Sequence, residues 1–113
     1  MLRIEMPRGD IHHIQFSVVN QSGTNENLDF DEIFFTVKDS YNRSGYLFQK
    51  KLSDGSIVKD GDVYTFTINP EDTNSLQFKT YVFDIEVLSD NTVKSTFVGN
   101  LHITEEVTYQ ENE

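Results

Sequence analysis

Apolar residues alternate with other residues in five segments of the chain. A spacing of two places side chains on one face of a β-strand, so each segment has one apolar face and one polar face. Five half-buried strands in 113 residues predict a two-layer antiparallel β-domain with its core between two sheets. The alternating positions are Ile14, Phe16 and Val18; Ile33, Phe35 and Val37; Tyr64, Phe66 and Ile68; Tyr81, Phe83, Ile85 and Val87; and Phe97, Gly99, Leu101 and Ile103.

Turn and breaker residues between these segments predict an all-β, immunoglobulin-like antiparallel β-sandwich of seven or eight strands. The expected strands cover residues 2–6, 11–19, 32–38, 46–52, 62–68, 79–88 and 93–104, and tight-turn signals flank Ile57-Val58. Asn69-Pro70-Glu71-Asp72 joins a capping residue to proline and acids, which predicts one short helical turn over residues 70–75. Tyr81 follows that turn, either as a tyrosine corner or simply as core. Residues 1–108 are expected to form one domain, and residues 109–113 an acidic tail.

The strand pattern also predicts which side chains face the core and which face away from it. Phe34, Val82 and Val98 break the alternation and point away from the core that their neighbours fill. Phe34 and Val82 lie on strands that can be neighbours in one sheet, so the three residues are our candidate docking surface. The competing interpretation is that residues 20–27 or the acidic tail fold over them as secondary core. The predicted core is Phe16, Val18, Ile33, Phe35, Val37, Phe66, Ile68, Phe83, Ile85, Leu101 and Ile103.

Composition and charge exclude several classes of function. With no cysteine, the chain has neither a disulfide framework nor a thiolate metal site. Its 19 acidic and 9 basic residues give a net charge of −10, which argues against binding to nucleic acid or to an anionic membrane surface. No nucleophile elbow, glycine-rich phosphate loop or metal-binding helix is present in the sequence. We therefore expect a non-enzymatic protein without a cofactor.

Histidines and clustered aspartates are the remaining candidates for a metal site. His12 and His13 are adjacent, so in a strand they point to opposite faces and cannot hold one ion together. The acids around Asp54-Gly55 and Asp60-Gly61, and those at residues 29–32, do not have the spacing of a calcium loop. We interpret the first group as turn residues and the second as a solvated entry to a strand. The sequence therefore predicts no metal site.

Arg8-Gly9-Asp10 is the tripeptide that integrins recognise. Recognition needs this motif at the tip of an exposed loop, whereas here it stands directly before a strand. The alternative is structural, with Gly9 permitting a turn after Pro7 and the two charged residues lying at a sheet edge. The structural interpretation is favoured, because a short motif on its own is weak support for a function.

The order of motifs along the chain resembles one family of phage proteins. It resembles the small immunoglobulin-like proteins of tailed phages and prophages of Gram-positive bacteria, in particular the N-terminal domain of phage baseplate upper proteins. This resemblance covers residues 8–108 and implies a virion structural protein, assembled in the bacterial cytoplasm, that docks onto other phage structural proteins, with an oligomer in the virion as one arrangement. Its role is left open between tail, baseplate and head. The residues that carry it are 8–10, 31–38, 47–52, 68–73, 81–86, 98–99 and 104–108.

A cell-surface or carbohydrate-binding module is the alternative function. Such a module needs exposed aromatic side chains on a loop or on a flat sheet face, and Tyr41, Tyr46 and Tyr109 are the candidates. The chain contains no tryptophan, which lowers the expectation of a carbohydrate site.

Overall fold

The computed structural model describes residues 2–18, 30–40 and 45–105. This part of the chain contains eight strands and one helical turn. The predicted acidic tail, residues 20–27, Tyr41 and Tyr109 lie outside these residues. The elements are β1 (Leu2–Pro7), β2 (His12–Phe16), β3 (Glu32–Lys38), β4 (Phe48–Lys51), β5 (Ile57–Asp60), β6 (Val63–Ile68), α1 (Pro70–Thr73), β7 (Thr80–Ser89) and β8 (Thr92–Thr104).

The strands form two sheets in the order of an immunoglobulin-like sandwich. The larger sheet has the order β1-β8-β7-β3-β4, and the smaller sheet has the order β2-β6-β5. All pairings are antiparallel except β1 with β8, which is parallel and departs from the expectation of purely antiparallel sheets. This pairing arises because the chain changes sheets between β1 and β2. Pro7 ends β1, and Gly9 takes a positive φ of 83° in the link that reaches β2.

The core lies between the sheets, on the strand faces that the alternation predicts. All eleven predicted core residues are buried except Phe16, which is partly buried and packs against the core. Phe35 is fully buried, and its ring centroid lies 4.3 Å from that of Phe66 in the opposite sheet. The same ring lies 5.1 Å from Phe83 on the neighbouring strand. The predicted register of the inward faces is therefore confirmed.

Two further features connect the strands to the short helix. Tyr81 is buried, and its hydroxyl accepts a hydrogen bond of 2.8 Å from the Gln77 amide and donates one of 3.3 Å to the Gln77 carbonyl, which confirms the tyrosine corner. Lys50 faces inward from β4, and its Nζ lies 2.7 Å from Oδ2 of Asp72 in α1. The same carboxylate oxygen accepts a hydrogen bond of 2.8 Å from the Asn69 amide. The helical turn, shorter than the predicted 70–75, is thus joined to both β4 and β6.

Phe97 keeps the alternation of β8 but is not buried as the inward-facing residues after it are. It lies opposite Ile85 on the inward side of the sheet but is 38 % exposed. β1 covers the other side of β8 only from Gly99 onward, where Leu2 is its partner. Among the described residues, β8 at Phe97 therefore has a neighbouring strand on one side only.

Gly99 lies where β1 begins and has no room for a side chain. A Cβ atom built there would lie 2.5 Å from Cζ of Phe83 and 2.6 Å from the Leu2 carbonyl oxygen. Both distances are far shorter than van der Waals contact, and the Leu2 atom belongs to the backbone. The close approach of β1 to β8 therefore depends on glycine at this position.

Phe35→Ala should lower the free energy of unfolding by about 3–5 kcal/mol, because it leaves a large cavity between the sheets. Phe97→Ala is the matched control, and it should cost about 1 kcal/mol or less because Phe97 is already partly solvated. Urea denaturation of the two variants provides the comparison. Equal losses would contradict the assignment of Phe35 to the centre of the core.

Gly99→Ala should destabilise the domain by about 1–3 kcal/mol, since the added methyl group overpacks the site and displaces β1. Gly45→Ala is the control, because a Cβ there meets nothing within 4 Å. Thermal unfolding measures the loss, and amide hydrogen exchange locates it. Unchanged protection of the β1 amides in Gly99→Ala would show that the strand does not depend on this glycine.

Candidate functional site

Phe34, Val82 and Val98 all lie on the outward face of the larger sheet. The strands that carry them, β3, β7 and β8, are consecutive in that sheet, which confirms the expected adjacency of the Phe34 and Val82 strands. Their inward neighbours Phe35, Phe83 and Gly99 are buried, so alternation turns the three candidates away from the core. Phe34 and Val82 are partly buried, whereas Val98 is 42 % exposed.

The ladder pairing separates the three residues into two groups. Phe34 lies opposite Glu86, and Val82 lies opposite Lys38. Phe34 and Val82 are therefore four positions apart along the strands, or about 13 Å at about 3.3 Å per residue. Val98 lies opposite Asp84 and is the diagonal neighbour of Val82. Phe34 thus stands apart from the Val82–Val98 pair.

Leu88 and Val93 extend the apolar group around Phe34, and the strand pattern did not identify them. Leu88 lies opposite both Glu32 and Val93, which makes it the diagonal neighbour of Phe34. A register shift between Val87 and Leu88 changes the pairing there, so simple alternation from Phe97 assigns Val93 to the wrong face. Val93 is 47 % exposed. The sequence signal was Leu88 itself, which directly follows the inward-facing Val87.

Acidic side chains occupy the positions between the two apolar groups, and a basic side chain lies beside Phe34 on its other side. Asp84 and Glu86 lie on β7 at the centre of the outward face, next to Val98 and Phe34 respectively. Lys51 lies opposite Phe34 from β4, with its Nζ 6.0 Å from the ring centroid. We define the outer face as Phe34, Val82, Leu88, Val93 and Val98 together with these two carboxylates.

Asp84 is the outer-face group with a clearly perturbed ionisation. Partial burial raises the pKa of its carboxyl group above 3.8, repulsion from Glu86 raises it further, and Lys38 opposes the change. Asp84 and Lys38 also line a shallow depression with Thr36, Val82 and Phe83. The centre of the outer face is therefore a place where negative charge is poorly solvated.

Other candidates from the sequence lie in structural positions. His13 contacts Thr67 Oγ1 at 2.9 Å through Nδ1, and His102 contacts Thr80 Oγ1 at 2.7 Å. Within residues 2–18, 30–40 and 45–105, no group of three or more His, Asp or Glu residues is placed to hold a metal ion. Tyr46 is 57 % exposed and is the one of the three carbohydrate-site candidates that the structure describes.

The Arg8-Gly9-Asp10 motif lies in the link where the chain changes sheets. The Arg8 guanidinium lies over the Phe78 ring at 4.3 Å from its centroid, and Nη1 donates a hydrogen bond of 3.3 Å to the Leu76 carbonyl. The Gly9 amide donates a hydrogen bond of 2.8 Å to Thr73 Oγ1. These contacts match the structural interpretation of the motif, because Gly9 attaches the link to the last residue of α1 and Arg8 attaches it to the segment that follows.

Comparison with known proteins gives no independent assignment. No protein-family model matches the chain, and no curated protein matches it significantly. Among the described residues, no helix is long and apolar enough to cross a membrane.

Asp84→Asn should stabilise the domain at neutral pH. A carboxyl group with a raised pKa in the folded state binds its proton more tightly there than in the unfolded chain, so its ionisation opposes folding. The gain in stability over the unmodified protein should be full above the raised pKa of Asp84 and should shrink as the pH falls toward 3.8, the ordinary pKa of this group. Melting temperatures measured across this pH range test the expectation.

Asp62→Asn is the control for that experiment, because Asp62 is exposed in a turn and its loss changes the net charge equally. An Asp84→Asn gain no larger than that of Asp62→Asn would contradict the desolvation of Asp84. A gain that persists unchanged in acid would contradict it as well.

Proposed function

We propose that this chain is a non-enzymatic structural protein of a phage virion, which docks through its outer face onto other phage structural proteins. The observation that carries the proposal is the set of apolar side chains on a face that folding leaves outward. The tail, the baseplate and the head are the locations that fit such a docking module. No catalytic or cofactor role is part of the proposal.

The exposure of the outer face supports docking. Phe34, Val93 and Val98 do not belong to the core cluster, and the latter two are 47 % and 42 % exposed. Covering an apolar side chain of this kind is worth about 1.5–3 kcal/mol when burial is complete. An aromatic residue flanked by polar groups is also a common centre of a protein interface. Binding of a partner protein to the outer face would bury these side chains and gain this free energy.

The charges on the outer face restrict the chemistry of the partner. Asp84 and Glu86 separate the Phe34 group from the Val82–Val98 pair. A complementary partner surface therefore has two apolar areas with hydrogen-bond donors or a cation between them. Burial already raises the pKa of Asp84. An apolar partner without such a group would bury the two carboxylates unpaired, which is unfavourable.

The resemblance to baseplate upper proteins supports the phage assignment. The fold that this resemblance implies is the one the chain has, and the resembling segments include β3 and part of β7, which carry part of the outer face. A sandwich fold alone does not determine function, because unrelated proteins share it. The proposal therefore combines the resemblance with the properties of the outer face.

Phe34→Ser should abolish incorporation into virions and leave the melting temperature nearly unchanged, because the residue contributes to docking and not to the core. Particles produced from a genome that encodes the variant can be purified and their protein content compared. Val58→Ser is the matched control, since Val58 is a 55 % exposed residue of the smaller sheet. Its variant should be incorporated normally.

Two results would contradict docking through Phe34. A sharp fall in the melting temperature would make Phe34 secondary core, as residues 20–27 or the tail folding over it would require. Normal incorporation of a stable Phe34→Ser variant would show that virion assembly does not use this face.

A further inference from the structure

β1 is an edge strand whose sequence is complementary to itself. Among residues 2–18, 30–40 and 45–105, it pairs with β8 on one side and has no neighbouring strand on the other. Its first five residues are Leu2-Arg3-Ile4-Glu5-Met6, in which opposite charges lie symmetrically about Ile4. Alternate residues of an edge strand direct their amide N–H and C=O groups to the open side. β1 therefore offers both main-chain hydrogen bonds and a charge pattern to a second strand.

We propose that two copies of this chain form a two-fold symmetric dimer by antiparallel pairing of β1 with β1. In the register centred on Ile4, Ile4 lies opposite Ile4 of the second copy, and Arg3 lies opposite Glu5. The symmetry makes two such Arg3–Glu5 pairs, and it also places Leu2 opposite Met6. Opposite charges and apolar pairs directly across an antiparallel ladder are both stabilising.

The surroundings of Arg3 and Glu5 leave them available for this pairing. Both residues are exposed, and they lie opposite Asn100 and His102 of β8. The ion pairs found within residues 2–18, 30–40 and 45–105 join Lys50 to Asp72 and Lys79 to Asp39, so neither engages Arg3 or Glu5. Pro7 lacks an amide hydrogen and limits the new ladder to residues 2–6.

Apolar side chains along the same side of the sandwich add to the proposed contact. β1 and β2 are the end strands of their sheets, and a link of residues 8–11 joins them, so they lie on the same side of the domain. Ile4, Ile14 and Phe16 on these strands are only partly buried. Leu2 and Ile11 are 47 % and 60 % exposed. A second copy placed against β1 would cover part of this surface.

Charged residues on an edge strand commonly prevent association, which is the alternative explanation for Arg3 and Glu5. The arrangement of Arg3 and Glu5 disfavours parallel pairing of two β1 strands and favours antiparallel pairing. Parallel pairing in register would bring Arg3 against Arg3 and Glu5 against Glu5. Antiparallel pairing about Ile4 brings each charge against its opposite. The sequence therefore selects the isologous antiparallel dimer, in which both copies use the same surface.

Charge reversal tests the register in the full chain. Arg3→Glu and Glu5→Arg should each weaken the dimer about tenfold or more, because both convert two attractive pairs into two repulsive ones. The double variant Arg3→Glu/Glu5→Arg should restore the dissociation constant to within about threefold. Sedimentation measurements between about 10 µM and 1 mM chain suit the weak association expected of so small an interface.

The two single variants also separate the register from a general charge effect. The chain has a net charge of −10, and Glu5→Arg makes it less negative whereas Arg3→Glu makes it more negative. If overall repulsion controlled association, Glu5→Arg would strengthen the dimer. Such a result, or a failure of the double variant to recover, would overturn the proposed pairing.

Cysteine cross-linking gives an independent measurement, since the chain has no native cysteine. In the proposed register the two Ile4 Cα atoms are about 4.5–5.5 Å apart, which suits a disulfide in Ile4→Cys. The two Leu2 positions are about 13 Å apart, so Leu2→Cys should not cross-link although Leu2 is the more exposed residue. A monomer at about 1 mM with no selective cross-link at position 4 would overturn the dimer.

Discussion

The contact between Phe35 and Phe66 determines how the two sheets face each other. These rings, 4.3 Å apart at their centroids, come from the middle of β3 and of β6 and are essentially inaccessible to solvent. Because side chains alternate along a strand, a slip of one residue in β3 would exchange Phe35 with Phe34 and expose the core face. The outward position of Phe34 is thus fixed by the packing of Phe35, and the outer face follows from the core.

The short helix α1 holds several other elements together, although it is a single turn. Asp72 binds Lys50 of β4 and the Asn69 amide, while the fully buried Thr73 accepts a hydrogen bond from Gly9. α1 therefore joins β4, the end of β6 and the link between β1 and β2. Removing one partner of the Lys50–Asp72 pair would leave a poorly solvated charge beside the core. This bracing holds the link in which the chain changes sheets, and so it holds β1 at the edge.

Periodicity of two was sufficient to predict the core, because alternation is a local property of each strand. It could not predict features that depend on which strands become neighbours. The parallel pairing of β1 requires the close approach at Gly99, and the outward position of Val93 requires the register shift beside Leu88. The inward position of Lys50 could not be predicted either, since lysine at such a position is acceptable only because Asp72 reaches it from a distant segment. The candidate site was accordingly predicted in part, since Phe34, Val82 and Val98 were identified but Leu88 and Val93 were not.

The proposed dimer would change how the outer face works. Antiparallel pairing of two β1 strands continues the larger sheet into the second copy, and residues opposite one another keep the same face. The outer faces of both copies then lie on one side of a single extended sheet. Two weak contacts presented together bind a repeating partner surface far more tightly than one, because the second contact forms within an already assembled complex. A module with a small docking face can therefore attach firmly to a symmetric assembly without enlarging that face.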